Sequence, residues 1–245
     1  SLLQASEDAF GLADDAWVLV ELRELAAVLG IARDAEVLGE RYRDALESLP
    51  PALVRGPVTE RLVDGARRRY QAGLRRSLAA MRSTRYFRLL DALDELVAAA
   101  APAPEGAAGH TPVSAKIASS YRKVRKAAKA AQQTTESAEA TAAERDHAVH
   151  RIRKAAKRLR YVAEATGDRD VEKRAKFIQT LLGDHQDSVV GRVHLMGQAD
   201  AAHAAGEDTF TYGVLFQQEA DLALNREEQL DAALKALRAS VRAAR

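Results

Sequence analysis

Apolar residues recur at helical spacing along almost the whole chain, and no segment shows the strict apolar–polar alternation of a half-buried strand. Pro57 is placed for the first turn of a helix, and Gly167 and Gly206 are placed to end helices. The pattern predicts an all-α protein with helices near residues 14–30, 33–48, 57–81, 84–100, 113–133, 141–165, 169–183, 186–205, 208–224 and 226–243.

One segment interrupts the helical pattern for long enough to divide the chain. Residues 98–112 (AAAAPAPEGAAGHTP) are rich in alanine, proline and glycine, which is typical of a linker. We therefore predict an N-terminal helical bundle over residues 1–100, a linker over 101–112 and a C-terminal helical bundle over 113–245.

The two halves share a short pattern at a constant offset of 153 residues. Gly30 and Asp34 follow an apolar run in the first half, and Gly183 and Asp187 follow a similar run in the second. Such a glycine can end a helix and such an aspartate can cap the next one, so we predict a helix–turn–helix junction at each place. Two ordinary junctions that look alike by chance are the alternative. A true repeat would put the counterpart of His150 upstream of this sequence, which does not begin with Met.

The composition narrows the kind of protein. Hydrophobic residues make up 47% and charged residues 29% of the 245 positions, as in a folded globular protein. The chain has no cysteine, which excludes disulfides, thiolate metal sites and a cysteine nucleophile and fits a reducing compartment. No apolar stretch reaches the roughly 18 residues of a membrane span, and no signal peptide is recognisable, so we expect a cytoplasmic protein without a membrane partner.

The net charge of +2 hides two strongly basic segments. Residues 116–133 contain six bases and no acid, and residues 145–161 contain seven bases and one acid, Asp146. Each segment is therefore +6, and the rest of the chain must carry −10 to give the total of +2. Such segregation indicates an anionic partner without identifying the anion.

The second basic segment is two-faced when it is placed on a helix, with apolar residues on one side and bases on the other. The basic side has no acid, although like charges at i,i+4 cost about 0.2–0.5 kcal/mol each. Arginine grips phosphate oxygens with a planar fork, and cations that recur about every 5 Å suit an extended polyanion. The candidate contacts on this helix are His150, Arg153, Lys154, Lys157, Arg158, Arg160 and Tyr161. The first basic segment, residues 116–133, also places bases on one face of a helix, and its candidate contacts are Arg122, Arg125, Lys126 and Lys129.

These residues carry a resemblance to a known family. The sequence HRIRKAAKRLRY at residues 150–161 is similar to the signature of the CHAD family, the conserved histidine α-helical domains. The sequence LGDHQDSVV at 182–190 resembles the second recurring element of that family, and STRYFRLL at 83–90 and ARDAEV at 32–37 resemble parts of its first half. The resemblance covers nearly all of the chain, and the 150–161 signature is its specific part.

The resemblance implies two pseudo-symmetric antiparallel helical bundles around a central basic channel that binds inorganic polyphosphate. It also implies targeting to polyphosphate granules, and it places the eleven candidate residues at the ligand. The family's first basic helix should precede Ser1 and is not in this sequence. We expect no enzymatic activity, catalytic residue, metal or cofactor, and the sequence leaves the oligomeric state open.

Three alternatives remain. The same bases could bind a nucleic-acid backbone, although Tyr121 and Tyr161 are the only aromatics there that could stack on bases. A polyphosphate or triphosphate hydrolase, and a scaffold with an acidic docking surface, are the others. Glu144 and His147 match one half of a di-iron motif, but no second pair occurs. We expect His185 to serve a helix junction, with Asp184 or Asp187 as a cap. The weaker candidates for residues of the channel are Arg23, Arg33, Arg68 and Arg75.

Overall fold

The structure is a computed structural model that describes residues 17–99 and 113–243. These residues form seven α-helices and no strand, which confirms the all-α prediction. None of the helices in the two described ranges is long and apolar enough to cross a membrane. A short 3-10 helix at Pro51–Leu53 and a π-helical turn at Glu60–Asp64 precede the second α-helix. The α-helices are α1 (Trp17–Ser48), α2 (Gly65–Met81), α3 (Thr84–Ala99), α4 (Val113–Glu136), α5 (Ala142–Thr166), α6 (Arg169–Ala204) and α7 (Phe210–Ala243).

Three predicted helix breaks are wrong, because α1, α6 and α7 each run through a position where the sequence indicated an end. Gly30 lies inside α1 and Gly183 inside α6, so neither helix–turn–helix junction exists. A glycine inside a helix costs only about 1 kcal/mol relative to alanine, which the tertiary packing of a long helix readily offsets. Gly167 and Gly206 have positive φ of 76° and 72° and end α5 and α6, as predicted.

The described residues group into two compact units that do not follow chain order. Residues 113–192 and 218–243 form one, here called the α5 unit, and residues 17–99 and 193–217 form the other, the α2 unit. The helices α6 and α7 therefore contribute residues to both units. The predicted linker at 101–112 lies outside the described residues, and the division of the chain there stays a prediction, as do the repeat, the pseudo-symmetry and the central channel.

The core of the α5 unit is built from small and aliphatic side chains of α4, α5, α6 and α7. Ile152, Ala156 and Leu159 of α5 are almost completely buried and belong to one cluster with Val124 of α4 and Ile178 of α6. The buried residues of α5 recur at three- and four-residue spacing, which defines one apolar stripe. Because this stripe faces the core, the opposite side of α5 faces outward.

The α2 unit contains a tightly packed pair of helices. A Cβ atom built on Gly73 of α2 would lie 2.7 Å from the backbone nitrogen of Ala32 in α1, and one on Gly39 would lie 3.1 Å from the Cβ of Ala66. The later residue of α1 pairs with the earlier residue of α2, so the two helices run antiparallel. Glycine at these positions lets their backbones approach closely.

Candidate polyanion-binding site

The basic side of α5 is an open surface in the α5 unit. Arg151, Lys154, Lys157 and Arg158 are exposed, and they lie opposite the apolar stripe of the helix. Among the described residues, no carboxylate lies within 4.0 Å of any of these four side chains. The row of positive charge on α5 is therefore not compensated by acids of the described parts of the chain.

Two further arginines lie at the edges of this basic side and are partly buried. The Arg153 guanidinium lies over Gly183 of α6, where a Cβ would be 3.5 Å from its Nη2 atom. Its Nε atom is buried and donates to no acceptor in residues 17–99 or 113–243. Arg160 reaches a carboxylate oxygen of Glu164 at 3.9 Å, which compensates part of its charge. The side chain of Arg153 therefore extends from α5 onto the surface of α6 at Gly183.

Tyr161 brings two cations of α5 together. Its ring centroid lies 4.6 Å from the guanidinium carbon of Arg160 and 6.0 Å from the Nζ atom of Lys157. A cation near the face of an aromatic ring is stabilised by about 0.5–1 kcal/mol at an exposed site. The ring therefore offsets part of the repulsion between the two cations, and its hydroxyl group can donate a hydrogen bond to an anion.

His150 is partly buried at the start of the basic row. Burial lowers its pKa below 6.5, and the positive charges of Lys154 and Arg153, with His147, lower it further. A hydrogen bond with the side chain of Gln186 in α6 acts in the opposite direction. The imidazole is therefore mostly neutral near pH 7, and a negative charge placed close to it would favour its protonation.

The DHQD segment of α6 connects α6 to α7. Asp184 pairs with the Nε atom of Arg226 at 3.1 Å, and the Nε2 atom of His185 donates to Glu227 at 2.8 Å. His185 is only 2% exposed, and its hydrogen bond is the main reason that the pKa of Glu227 is lowered. Because α6 continues through the segment, the predicted capping by Asp184 or Asp187 is wrong. Instead, the segment fixes α7 against α6 while Gln186 contacts α5.

The predicted contacts on α4 form a second exposed row. All four lie opposite the buried residues Val124, Ala127 and Ala131, and the described residues place no carboxylate in salt-bridge range of them. Since α4 packs against α5, both rows belong to the same compact unit. The four residues of the α4 row are Arg122, Arg125, Lys126 and Lys129.

Of the two residues considered for a di-iron motif, Glu144 has a structural role at the start of α5. Within the described ranges, no group of three or more His, Cys, Asp or Glu side chains is arranged to hold a metal ion. Glu144 forms a capping box at the start of α5, in which its side chain accepts from the backbone nitrogen of Thr141 at 2.8 Å. Hydrogen bonds with Thr141 lower the pKa of Glu144.

The helix α2 is as rich in uncompensated bases as α4, although only Arg68 and Arg75 of this helix were predicted to lie near the ligand. Residues 65–90 contain eight arginines and no acid, the same signal that singled out residues 116–133. Arg33, in contrast, pairs with Glu36 at 2.9 Å, and Arg23 also has an interaction partner. The exposed arginines of α2 are Arg67, Arg68, Arg69, Arg75 and Arg76.

Comparison with protein families matches residues 1–196 to the CHAD domain. Two curated relatives, the uncharacterized proteins MT2285 and Rv2226 from Mycobacterium tuberculosis strains CDC 1551 / Oshkosh and ATCC 25618 / H37Rv, are each 64% identical to the chain over 245 residues. The alignment covers 100% of the chain and 47% of each relative, so the chain spans about half of their length. No solved structure matches. The resemblance seen in the sequence is thus confirmed, and the chain belongs to the CHAD domain family.

Proposed function

We propose that the chain binds inorganic polyphosphate through the basic side of α5 and the basic row of α4, without catalysing a reaction. The observation that carries this proposal is the exposure of Lys154, Lys157 and Arg158 with no carboxylate in range among the described residues. Membership of the CHAD family supports polyphosphate as the anion. Other polyanions would be weaker ligands of the same surface.

The spacing of the cations favours a chain of phosphates over a single phosphate group. From His150 to Tyr161 the helix rises by about 16 Å, at about 1.5 Å per residue. A single phosphate cannot contact both ends of such a row, whereas consecutive phosphates of a linear polymer can. Binding would also relieve the repulsion between like charges, and each lysine or arginine would release counterions from the polymer.

The fold holds this surface in place before any ligand arrives. The apolar stripe of α5 is buried, and Arg153 and Gln186 tie the helix to α6. A rigid row of cations loses little conformational entropy on binding, which favours affinity. In a cell, the same binding would retain the protein on polyphosphate granules in the cytoplasm.

The test reverses two exposed charges that make no contact with the core. Lys154→Glu with Lys157→Glu should weaken binding of long-chain polyphosphate by about 100-fold or more, since each of the two lost charge-assisted contacts is worth roughly 1.5–3 kcal/mol. The matched control is Lys173→Glu with Lys176→Glu, which makes the same charge change at the same spacing on exposed positions of α6. Binding is measured by titration calorimetry at fixed salt, and folding by circular dichroism.

Three outcomes would contradict the proposal. Equal losses in the α5 variant and the α6 control would mean that only net charge matters. Displacement of polyphosphate by DNA or RNA at equal phosphate concentration would favour the nucleic-acid alternative. Release of orthophosphate from polyphosphate in the presence of Mg²⁺ or Mn²⁺ would show that the chain is a hydrolase.

A further inference from the structure

The α2 unit contains a second group of cations that the proposed polyphosphate surface does not include. Arg61, Arg68 and Arg69, together with Gly65 and Gln198, line an open cavity of about 420 Å³. All of these residues lie within one compact unit, so the cavity is a feature of that unit alone. The lining residues include three arginines and one glutamine, and none of them is acidic.

The three arginines differ in how their charge is compensated. Arg61 donates to both carboxylate oxygens of Glu207, at 2.5 and 2.7 Å, so its charge is already neutralised. No carboxylate of the described chain lies in salt-bridge range of Arg68 or Arg69. A Cβ atom on Gly65 would lie 3.8 Å from the Nη2 atom of Arg68, so the Arg68 side chain folds back over this glycine.

Arg69 is held by a neutral partner. Its Nη2 atom donates to the Nε2 atom of His194 at 2.7 Å, and the Nδ1 atom of His194 lies 2.8 Å from the hydroxyl oxygen of Tyr42. A guanidinium has no acceptor, so Nε2 must be unprotonated and Nδ1–H donates to Tyr42. Burial, and then the charge of Arg69, lower the pKa of His194 to about 4. The ring therefore orients Arg69 without cancelling its charge.

The backbone next to these arginines is also unusual. The π-helical turn Glu60–Asp64 contains Arg61 and leads directly into Gly65. Turns of this kind are rare in proteins, but those that occur often lie at functional sites, because the extra residue redirects the side chains around it. Leu62 within the turn is completely buried, which fixes the turn against the core of the unit.

We propose that Arg68 and Arg69 form a second binding site, which takes a phosphate oxyanion and uses different residues from the α5 surface. Two guanidinium forks match the oxygens of a phosphate group, and Gln198 can add a neutral amide donor. The Arg61–Glu207 pair sets the edge of the site. The bound group is either a segment of a polyphosphate chain or free orthophosphate, which present the same oxygens.

The sharpest test changes only the charge of the residue that orients Arg69. In His194→Gln, the amide oxygen can accept from Arg69 and the amide nitrogen can donate to Tyr42. In His194→Glu, a side chain of the same size places a carboxylate on Arg69 and repels phosphate. Both are made in the full chain carrying Lys154→Glu and Lys157→Glu, which weakens binding by the basic side of α5.

Tripolyphosphate and orthophosphate are titrated separately by calorimetry, with thermal unfolding as the folding control. Tripolyphosphate binding should persist in His194→Gln and fall about tenfold or more in His194→Glu. Arg68→Gln with Arg69→Gln, at exposed positions, should abolish it without changing the unfolding temperature. Tighter binding of tripolyphosphate than of orthophosphate identifies a polymer segment as the ligand, and equal binding identifies the free anion. Equal affinities of the Gln and Glu variants, with both folded, would overturn the proposal.

Discussion

The cations of α5 and those of α2 come from stretches of sequence with one acid and no acid respectively, yet they are held in different ways. On α5, the lysines and arginines project from the side opposite a buried stripe, and the ring of Tyr161 lies beside Lys157 and Arg160. Around α2, two arginines each have a partner from a distant part of the chain. Arg61 has the carboxylate of Glu207, whereas Arg69 has the neutral ring of His194.

This difference shows that local composition locates cations but does not show which of them can bind a ligand. Arg85 belongs to the acid-free stretch 65–90, yet its guanidinium pairs with Glu21 at 2.6 Å and also with Glu24. A ligand anion would have to displace these carboxylates. A cation held by a neutral histidine or an aromatic ring faces no such competition, since its partner carries no negative charge.

The largest effect that separates compensated from uncompensated cations is the dependence of binding on salt. Raising the salt concentration from 50 to 200 mM should weaken polyphosphate binding by roughly 10³-fold if about six phosphates are contacted. Lys154→Gln with Lys157→Gln should lower the slope of log affinity against log salt by about 1.5–2. Arg33→Gln should leave the slope unchanged, because Arg33 is already paired with Glu36. Equal slopes in all three proteins would refute the distinction.

A smaller effect compares two glycines inside helices, one in each unit. Gly73→Ala should lower the free energy of unfolding by about 1–3 kcal/mol, because the new methyl group would lie 2.7 Å from the backbone nitrogen of Ala32. Gly183→Ala meets only the guanidinium of Arg153 at 3.5 Å, an ordinary contact, and should be neutral or stabilise by up to about 1 kcal/mol. Urea unfolding measures both. A destabilisation by Gly183→Ala as large as that by Gly73→Ala would show that Arg153 cannot adjust.

The same glycines show where sequence analysis of the fold succeeds and where it stops. Helical periodicity predicts α3, α4 and α5 with ends close to those observed, because each is a short amphipathic helix with clear end signals. It cannot tell that α1 and α6 continue through Gly30 and Gly183. The Arg153 side chain that lies over Gly183 comes from another helix, so no local signal in the sequence of α6 encodes this contact.

In the candidate site, too, features set within one helix can be predicted from the sequence, whereas contacts between distant segments cannot. A helical projection separates the basic and apolar sides of α5, because both sides are set by positions within one helix. The partners that neutralise or orient cations come from distant parts of the chain. Glu21 lies 64 residues from Arg85, His194 lies 125 residues from Arg69, and Glu207 lies 146 residues from Arg61. Only the folded structure shows these pairings.

The smallest predicted effect concerns the protonation of His150. In the unliganded protein its pKa lies below 6.5, chiefly because of burial and then because of Lys154 and Arg153. Polyphosphate on the basic side of α5 would screen these two charges and raise the pKa, so binding takes up a proton. Affinity should therefore increase as the pH falls from 8 through the pKa of the bound state, by at most tenfold per pH unit for one proton. It should level off below the pKa of the unliganded protein.

Substitutions at two histidines isolate this effect. His150→Gln keeps a polar side chain near Gln186 but cannot be protonated, so its affinity for long-chain polyphosphate should vary less with pH than that of the unsubstituted chain. His147→Gln, at an exposed position three residues earlier, should retain most of the variation. Long-chain polyphosphate is used because terminal phosphates titrate in the same pH range as histidine, and a long chain has few of them relative to its length. If the pH profile of His150→Gln coincided with that of the unsubstituted protein, the anion would bind too far from His150 to alter its pKa, and the polyphosphate would have to lie further along α5 towards Tyr161.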